Sequence, residues 1–428
     1  MKLELGKINI NDVVKGSEAK IVDGVLTIDE TEIIKLVLAD DRLKSCHVEI
    51  AKPGERTRIT PVKDVIEPRC KVDSNTGMFP GVISKVDTVG EGKTHCLKGC
   101  GIVTVGKIVG FQEGIIDMSG PGAKQTPFSE LLNICLVLEV HDNIEPHQYE
   151  EAARLAGLKV ADYLGKLGEK IVPDEVKIYE TLPIFEQAAQ YSNLPKIAYV
   201  YMIQTQGLLH DTYVYGVDGK KIIPTILYPT EIMDGAVISG NCVSACDKNT
   251  TYHHLNNPII EDLFEKHGKE LNFVGVIVTN ENVFLADKER SSNWTAKLCE
   301  YMGVAGVLIN EEGFGNPDTD LIMNCKKIEM KGIKTVAVTD EYAGRDGASQ
   351  SLADADKLAD AIVTGGNANE MITLPAMDRI IGQCDYVDKI AGGFDGSLKE
   401  DGSIEVELQA ITGATNELGF NKTSAKGN

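Results

Sequence analysis

Thiols and imidazoles in this 428-residue chain cluster at two places. His95, Cys96 and Cys100 form one group, and Cys242, Cys246, His253 and His254 form the other, each with a C-x3-C pair. Soft sulfur and imidazole ligands suit zinc or an iron–sulfur cluster, but zinc knuckles commonly space their cysteines by two residues. No metal is therefore assigned. His95 and Cys96 are expected in a turn, and His253 and His254 in local hydrogen bonds or lining a pocket. The scattered thiols Cys46, Cys70, Cys135, Cys299, Cys325 and Cys384 read as small buried hydrophobes.

The junction Gly240-Asn241-Cys242 differs in kind. A peptide bond preceding cysteine can undergo an N→S acyl shift when strain sets the thiol against its own carbonyl carbon. Gly240 supplies the backbone freedom that such a distortion needs. The thioester can then break by elimination across Cα and Cβ, leaving a dehydroalanine. Tautomerisation to an imine and hydrolysis yield a pyruvoyl group, an electrophile that no coded side chain supplies and one that condenses with amines. Taken alone, an Asn-Cys dipeptide in a loop is ordinarily inert.

Other motifs give less. Gly313-Phe314-Gly315 lacks the third glycine of a dinucleotide loop, and Glu311-Glu312 before it would repel a pyrophosphate, so a strand-to-helix turn is expected. There is no G-x4-G-K-[ST] loop. The pairs Asp40-Asp41, Glu150-Glu151 and Glu311-Glu312 read as solvated faces, and no pair stands out for acid–base work.

The elements that position these residues fall into two styles. Leu3–Ile10, Ala19–Ile28 and His47–Ile50 are short β-branched runs, with a helix over Glu30–Ala39. Pro53, Pro61, Pro68 and Pro80 favour edge strands and turns between Val48 and Val89. Cys100–Ile116, Asn133–Val140, Ile197–Ile203, Ile222–Leu227 and Ala236–Ile238 read as strands, and Pro146–Gly165 as a helix with proline in its first turn. Beyond residue 241, the strands Phe273–Thr279, Gly306–Ile309 and Thr335–Val338 alternate with helices over Trp294–Met302, Asp318–Met330 and Asp354–Thr364. That alternation indicates βαβ units and a parallel sheet. The expected class is α/β, a β-rich region over 1–241 followed by a βαβ-type, mostly parallel domain over 242–428. The polar tail after Gly419 is expected to be disordered.

Composition excludes several roles. Lys and Arg total 43 against 64 acidic residues, a net charge of −21 that repels nucleic acid and anionic lipid. The residues up to 241 carry −8 (26 basic, 34 acidic) and the rest −13 (17 basic, 30 acidic), so neither half hides a basic arm. No apolar run reaches the roughly 20 residues of a membrane span, and no signal-peptide core follows Met1. A cytoplasmic protein with reduced thiols is expected.

The stretch Ser239-Gly240-Asn241-Cys242-Val243-Ser244-Ala245-Cys246-Asp247, then Thr251-Tyr252-His253-His254 and Asn257-Pro258, resembles the processing region of one family. The opening Leu3-Glu4-Leu5-Gly6 is similar too. The family is the α/β-subunit proprotein of component B of the glycine, sarcosine and betaine reductases, with the glycine member the nearest in resemblance. D-proline reductase has a related proprotein. The resemblance covers essentially the whole chain and implies cleavage between Asn241 and Cys242. Residues 1–241 would be the β subunit, and 242–428 the α subunit opening on a pyruvoyl from Cys242. Cys246, His253 and His254 are candidates for assisting. No separate cofactor-binding residues are assigned.

The implied activity is reductive deamination of glycine to acetyl phosphate, ammonia and water, with phosphate and a thioredoxin-type reductant. The implied partners are a selenocysteine-containing component B subunit, selenoprotein A and the acetyl-phosphate-forming component C. Arg290, Arg345 and Arg379 are conceivable anchors for a substrate carboxylate. Two alternatives stay open: the same chemistry on sarcosine or another amino acid, and an uncut, non-catalytic thiol or metal scaffold.

Overall fold

The computed structural model describes residues 1–72, 77–240 and 244–418, with the backbone of 424–427. Its first half is β-rich. A four-stranded sheet runs in the order Glu175–Glu180, Lys2–Asn9, Gly92–Lys98, Arg69–Val72. A second runs Gly114–Asp117, Thr57–Ile66, Cys100–Val105, Leu132–Val140, Leu43–Ala51, and the late strand Arg379–Gly382 pairs with Thr57–Ile66. The helix Pro146–Gly165 covers this region, its amide at Glu145 bonded to Gln148 Oε1 at 3.1 Å. It buries a stripe of small residues, Ala152, Ala153, Ala156, Gly157 and Ala161. A Cβ on Gly157 would come within 2.7 Å of Thr104 and 2.8 Å of Ile66, so the strands approach where a side chain is missing.

The later half is built on a doubly wound sheet. Its parallel strands are β1 (Lys196–Ile203), β2 (Asn272–Asn280), β3 (Gly306–Asn310), β4 (Lys334–Glu341) and β5 (Ala361–Asn367). Between β1 and β2 lies the short helix α1 (Thr251–Leu255), between β2 and β3 α2 (Leu285–Met302), and between β3 and β4 α3 (Asn316–Glu329). Across the sheet the order is β2-β1-β3-β4-β5, flanked by the antiparallel Thr225–Leu227 and Ser424–Gly427. All of β2 is buried, as a parallel strand covered on both faces should be. Alternation along β1 sends Ala198, Val200 and Met202 to the core under α2 and α3. Tyr199, Tyr201 and Ile203 go to the opposite core, with Leu3, Leu5 and Tyr179 of the four-stranded sheet. Strands from both sides of residue 241 therefore share one sheet.

The α/β class and the parallel sheet agree with the sequence pattern; four local expectations do not. Residues 354–364 form no helix: Ile362 and Val363 pair with Ala337 and Val338 in β5, so strand pairing overrides the apolar spacing. Pro61 lies in a buried strand with neighbours on both sides, where the ladder to Gly114–Asp117 shifts register between Ile59 and Val62. A broken ladder tolerates the missing amide hydrogen. His95 and Cys96 sit in a strand, because Lys2–Asn9 and Arg69–Val72 pair with it from either side. Beyond Gly419, the backbone of Ser424–Gly427 is a strand paired with β5.

Arg69 ties the halves together. Its buried guanidinium binds Glu67 Oε2 at 2.7 Å, the Met233 and Leu255 carbonyls at 2.5 and 3.2 Å, and Asn256 Oδ1 at 2.9 Å. Arg69→Ala would leave Glu67 buried without its partner. It is expected to cost about 3–5 kcal/mol, read as a lower midpoint of thermal or urea unfolding. Arg69→Lys should recover little, since an ammonium cannot span all four acceptors.

Candidate functional site

The register levels the carboxyl ends of the parallel strands: Ile203 faces Asn280, Tyr201 faces Asn310, and Asn310 faces Val338. The chain leaves β1 for β2 on one side and resumes at β3 on the other, so the topological switch point lies between β1 and β3. In such sheets ligands bind outside the carboxyl ends at the switch point. Three of the strands run into acids: Glu281 after β2, Glu311 and Glu312 after β3, and Asp340 near the end of β4, while β1 runs into Gln204.

The segment from 244 to 250 crosses this edge. Asn249 donates its amide to Glu312 Oε1 at 2.8 Å and its side chain to Glu417, which also accepts from Asn310 at 3.2 Å. The turn after Ile411 straps the segment down. Gly413 and Thr415 donate amides to the carbonyls of Ala245 (2.8 Å) and Cys246 (3.2 Å), and Asn416 bonds Lys248 O at 3.1 Å. Burial pushes the carboxyls of Asp247, Glu281, Glu311, Glu312, Asp340 and Glu417 above their usual range, and neighbouring acids add to it. Lys248 supplies opposing positive charge to Glu312, Asp64 and Asp211. Glu311-Glu312 is thus no solvated face, at 1% and 2% exposure. The contrary expectation failed because strand register sets burial here, and residue type does not reveal it.

Asn241, Cys242 and Val243 lie outside the described residues, and Gly240 and Ser244 are the described positions on either side. Gly240 donates its amide to Asp211 O and accepts from Lys248 Nζ at 2.8 Å. A Cβ at Gly240 would lie 2.4 Å from His210 O and 2.8 Å from Asp211 O, so only glycine fits this cradle. Ser239 on the near side is fixed by its amide to Thr251 Oγ1 at 3.1 Å, and Thr251 is held in turn by Asp64 at 2.7 and 2.9 Å. Burial pushes Asp64 up to about 6.

The predicted auxiliary residues divide. Cys246 is buried at the acidic edge, 3.3 Å from Tyr342 OH and 3.4 Å from Ser244 Oγ, and burial drives its thiol well above the ordinary value. His253 Nδ1 accepts the Thr250 amide at 3.0 Å at the start of α1, and its ring stands edge-on to Phe128. His254 Nδ1 lies 2.5 Å from Tyr201 OH. Burial lowers both imidazoles, His254 to about 3, so both are neutral. The upstream residues bond within their own half: His95 to Gly168 O at 2.9 Å and Cys100 to Leu97 O at 3.4 Å. Arg290 pairs with Asp287, Arg345 with Glu407 and Arg379 with Glu55. Sequence reasoning missed Lys248, Asp64, Asp211 and the strand-end acids. The acids carried a readable signal, since Asn280-Glu281, Asn310-Glu311-Glu312 and Thr339-Asp340-Glu341 each close an apolar run.

Fold and site together define a doubly wound α/β protein with a buried polar centre at its switch point. Residues 1–426 match the model of the glycine/sarcosine/betaine reductase component B subunits, and the chain belongs to that family. It is 67% identical over 428 residues to the glycine reductase complex component B subunits alpha and beta of Acetoanaerobium sticklandii, covering all of both chains. It is 59% identical over 426 residues, again over both whole chains, to the sarcosine reductase complex component B subunit alpha of Peptoclostridium acidaminophilum. Similarity to the D-proline reductase proprotein PrdA of A. sticklandii is 23% over 365 residues, or 79% of this chain and 54% of that one. No solved structure matches. Among the described residues, no helix is long and apolar enough to cross a membrane.

Asp211 gives a pH test of this edge. Burial raises its carboxyl to about 7, against Lys220 at 3.4 Å and the Gly207 amide at 2.9 Å. The folded chain therefore holds a proton that the unfolded chain releases. That contribution is fully present below about pH 4 and lost as pH rises to about 7. Asp211→Asn removes the titration, so the stability of wild type relative to this variant should fall by a few kcal/mol across that window, read from unfolding midpoints.

Proposed function

We propose that the chain is the substrate-activating component of a glycine reductase, made as a precursor and cut between Asn241 and Cys242. The observation that carries this reading is full-length similarity at 67% identity to a glycine reductase component B, against 59% to the sarcosine counterpart. The D-proline reductase relative, itself a proprotein by name, supports maturation by cleavage.

The described residues that flank the segment suit a pyruvoyl at residue 242. The Gly240 cradle admits no side chain, and the carbonyl beside it is held by a buried ammonium. Glu281 Oε2 and Glu417 Oε2, at the same acidic edge, are buried without a hydrogen-bond partner among the described residues. A pyruvoyl at residue 242 would supply a carbonyl that condenses with the glycine amine and draws electrons from its C–N bond.

The chain's own residues do the rest by position. Lys248 and the Asp211 carbonyl fix both polar groups of Gly240, the last described residue before the proposed cleavage bond. The 412–418 strap and α1 keep the edge dry, which strengthens each charge interaction there. Among ordinary thiols nothing serves as the strong nucleophile that displaces nitrogen. In this reading it comes from the selenocysteine-containing component B subunit, with selenoprotein A and component C completing the conversion to acetyl phosphate in the cytoplasm.

With partner components, phosphate and a dithiol supplied, the matured protein should release ammonia from glycine far faster than it releases methylamine from sarcosine. Cys242→Ala should be inert with both. Equal or reversed preference would assign the chain to sarcosine. Lys248→Gln should slow precursor cleavage at least about tenfold with the fold intact by circular dichroism, and Lys248→Arg should restore part of the rate, followed by gel mobility.

A further inference from the structure

Cys246, Asp247 and Asp340 form a second cluster. Their ligand atoms, Sγ and one oxygen from each carboxylate, all lie within 4.8 Å of one another, and all three residues are buried. The Cys246 Sγ to Asp340 Oδ2 separation is 3.7 Å. A tetrahedral zinc with Zn–S of about 2.3 Å and Zn–O of about 2.1 Å would place sulfur and oxygen about 3.6 Å apart. Asp247, at 2% exposure, carries an Oδ2 with no hydrogen-bond partner among the described residues. A buried carboxylate oxygen without a donor is rare in folded proteins. The charge nearby is of the wrong sign to serve it, since Asp318 acts on both Asp247 and Asp340 and Lys248 is turned to the Gly240 carbonyl.

We propose that Cys246, Asp247 and Asp340 bind a divalent transition metal of borderline softness, Zn2+ foremost, as three protein ligands with a fourth position open. One thiolate with two carboxylates disfavours Mg2+ and Ca2+, which take oxygen alone, and also Cu(I), which takes soft ligands. Binding forms one metal–sulfur and two metal–oxygen bonds, releases the thiol proton and any carboxyl protons to water, and changes no oxidation state. Thr415 Oγ1, donating to Asp340 Oδ2 at 2.5 Å, and Tyr342, stacked on Phe314 at 3.5 Å between ring centres, orient the set from outside. The site does not depend on cleavage at position 242.

The test uses the full chain as Cys242→Ala, which removes the neighbouring thiol and keeps Cys246. Produced in cobalt-supplemented medium, it should hold one Co2+ per chain, with a thiolate-to-cobalt charge-transfer band and visible bands of tetrahedral intensity that added Zn2+ bleaches. Cys246→Ser in that background should lose the charge-transfer band. Asp340→Asn should weaken Zn2+ in chelator competition at least about tenfold. Cys384→Ser, at a half-buried thiol elsewhere, should change nothing. A folded chain without the band, or a band that survives Cys246→Ser, overturns the proposal. Loss of cleavage in Cys242→Ala bears on the proposed maturation alone, so the two readings fail separately.

Discussion

The structure depends on holding a crowd of carboxylates in a dry place. Four parallel strands end at one level, and Glu281, Glu311, Glu312 and Asp340 leave their ends into the interior, joined there by Asp247 and Glu417. Removing so many acids from water is costly unless they share protons or meet donors. The molecule supplies both. Burial favours the protonated forms, while Asn249, Asn310, Thr339 and the amides of Asn249 and Gln204 direct donors at the oxygens. The 244–250 segment provides two of those donors, the amide and the side chain of Asn249, and is tied to the strand ends by them.

The interleaving of the strands bears on the proposed cleavage. β1 comes from before residue 241 and lies between β2 and β3, which come after it. Arg69 binds Met233 on one side of position 242 and Leu255 and Asn256 on the other. A broken bond at 241–242 would leave every one of these contacts in place, and two chains separated by such a break would stay associated through a shared sheet and a common core.

Much of this was legible in the residues. The run Asn133–Val140, the proline-led helix from Pro146 and the alternating strands and helices from Phe273 to Val338 fold as their patterns imply. Residues 354–364 misled because Leu358, Ala359 and Ile362 fall at helical spacing, while the open edge of β4 offered strand pairing instead. Cys242 stood out through its glycine neighbour and a family resemblance. Lys248, Asp64 and Asp211 carried no local signal, since their partners lie 8, 187 and 29 residues away and only the fold brings them together. The strand-end acids fall between these cases, visible as a repeated ending whose meaning depends on register.

The account rests on position 242 ceasing to be a cysteine, and the most direct measurement is the mass and N-terminal chemistry of the protein matured in its native host. It predicts two chains, the second beginning at residue 242, lighter than its encoded mass by conversion of the cysteine to pyruvoyl and closed to Edman degradation until treated with an amine. An active complex containing a single uncut chain with a free thiol at Cys242 would contradict it.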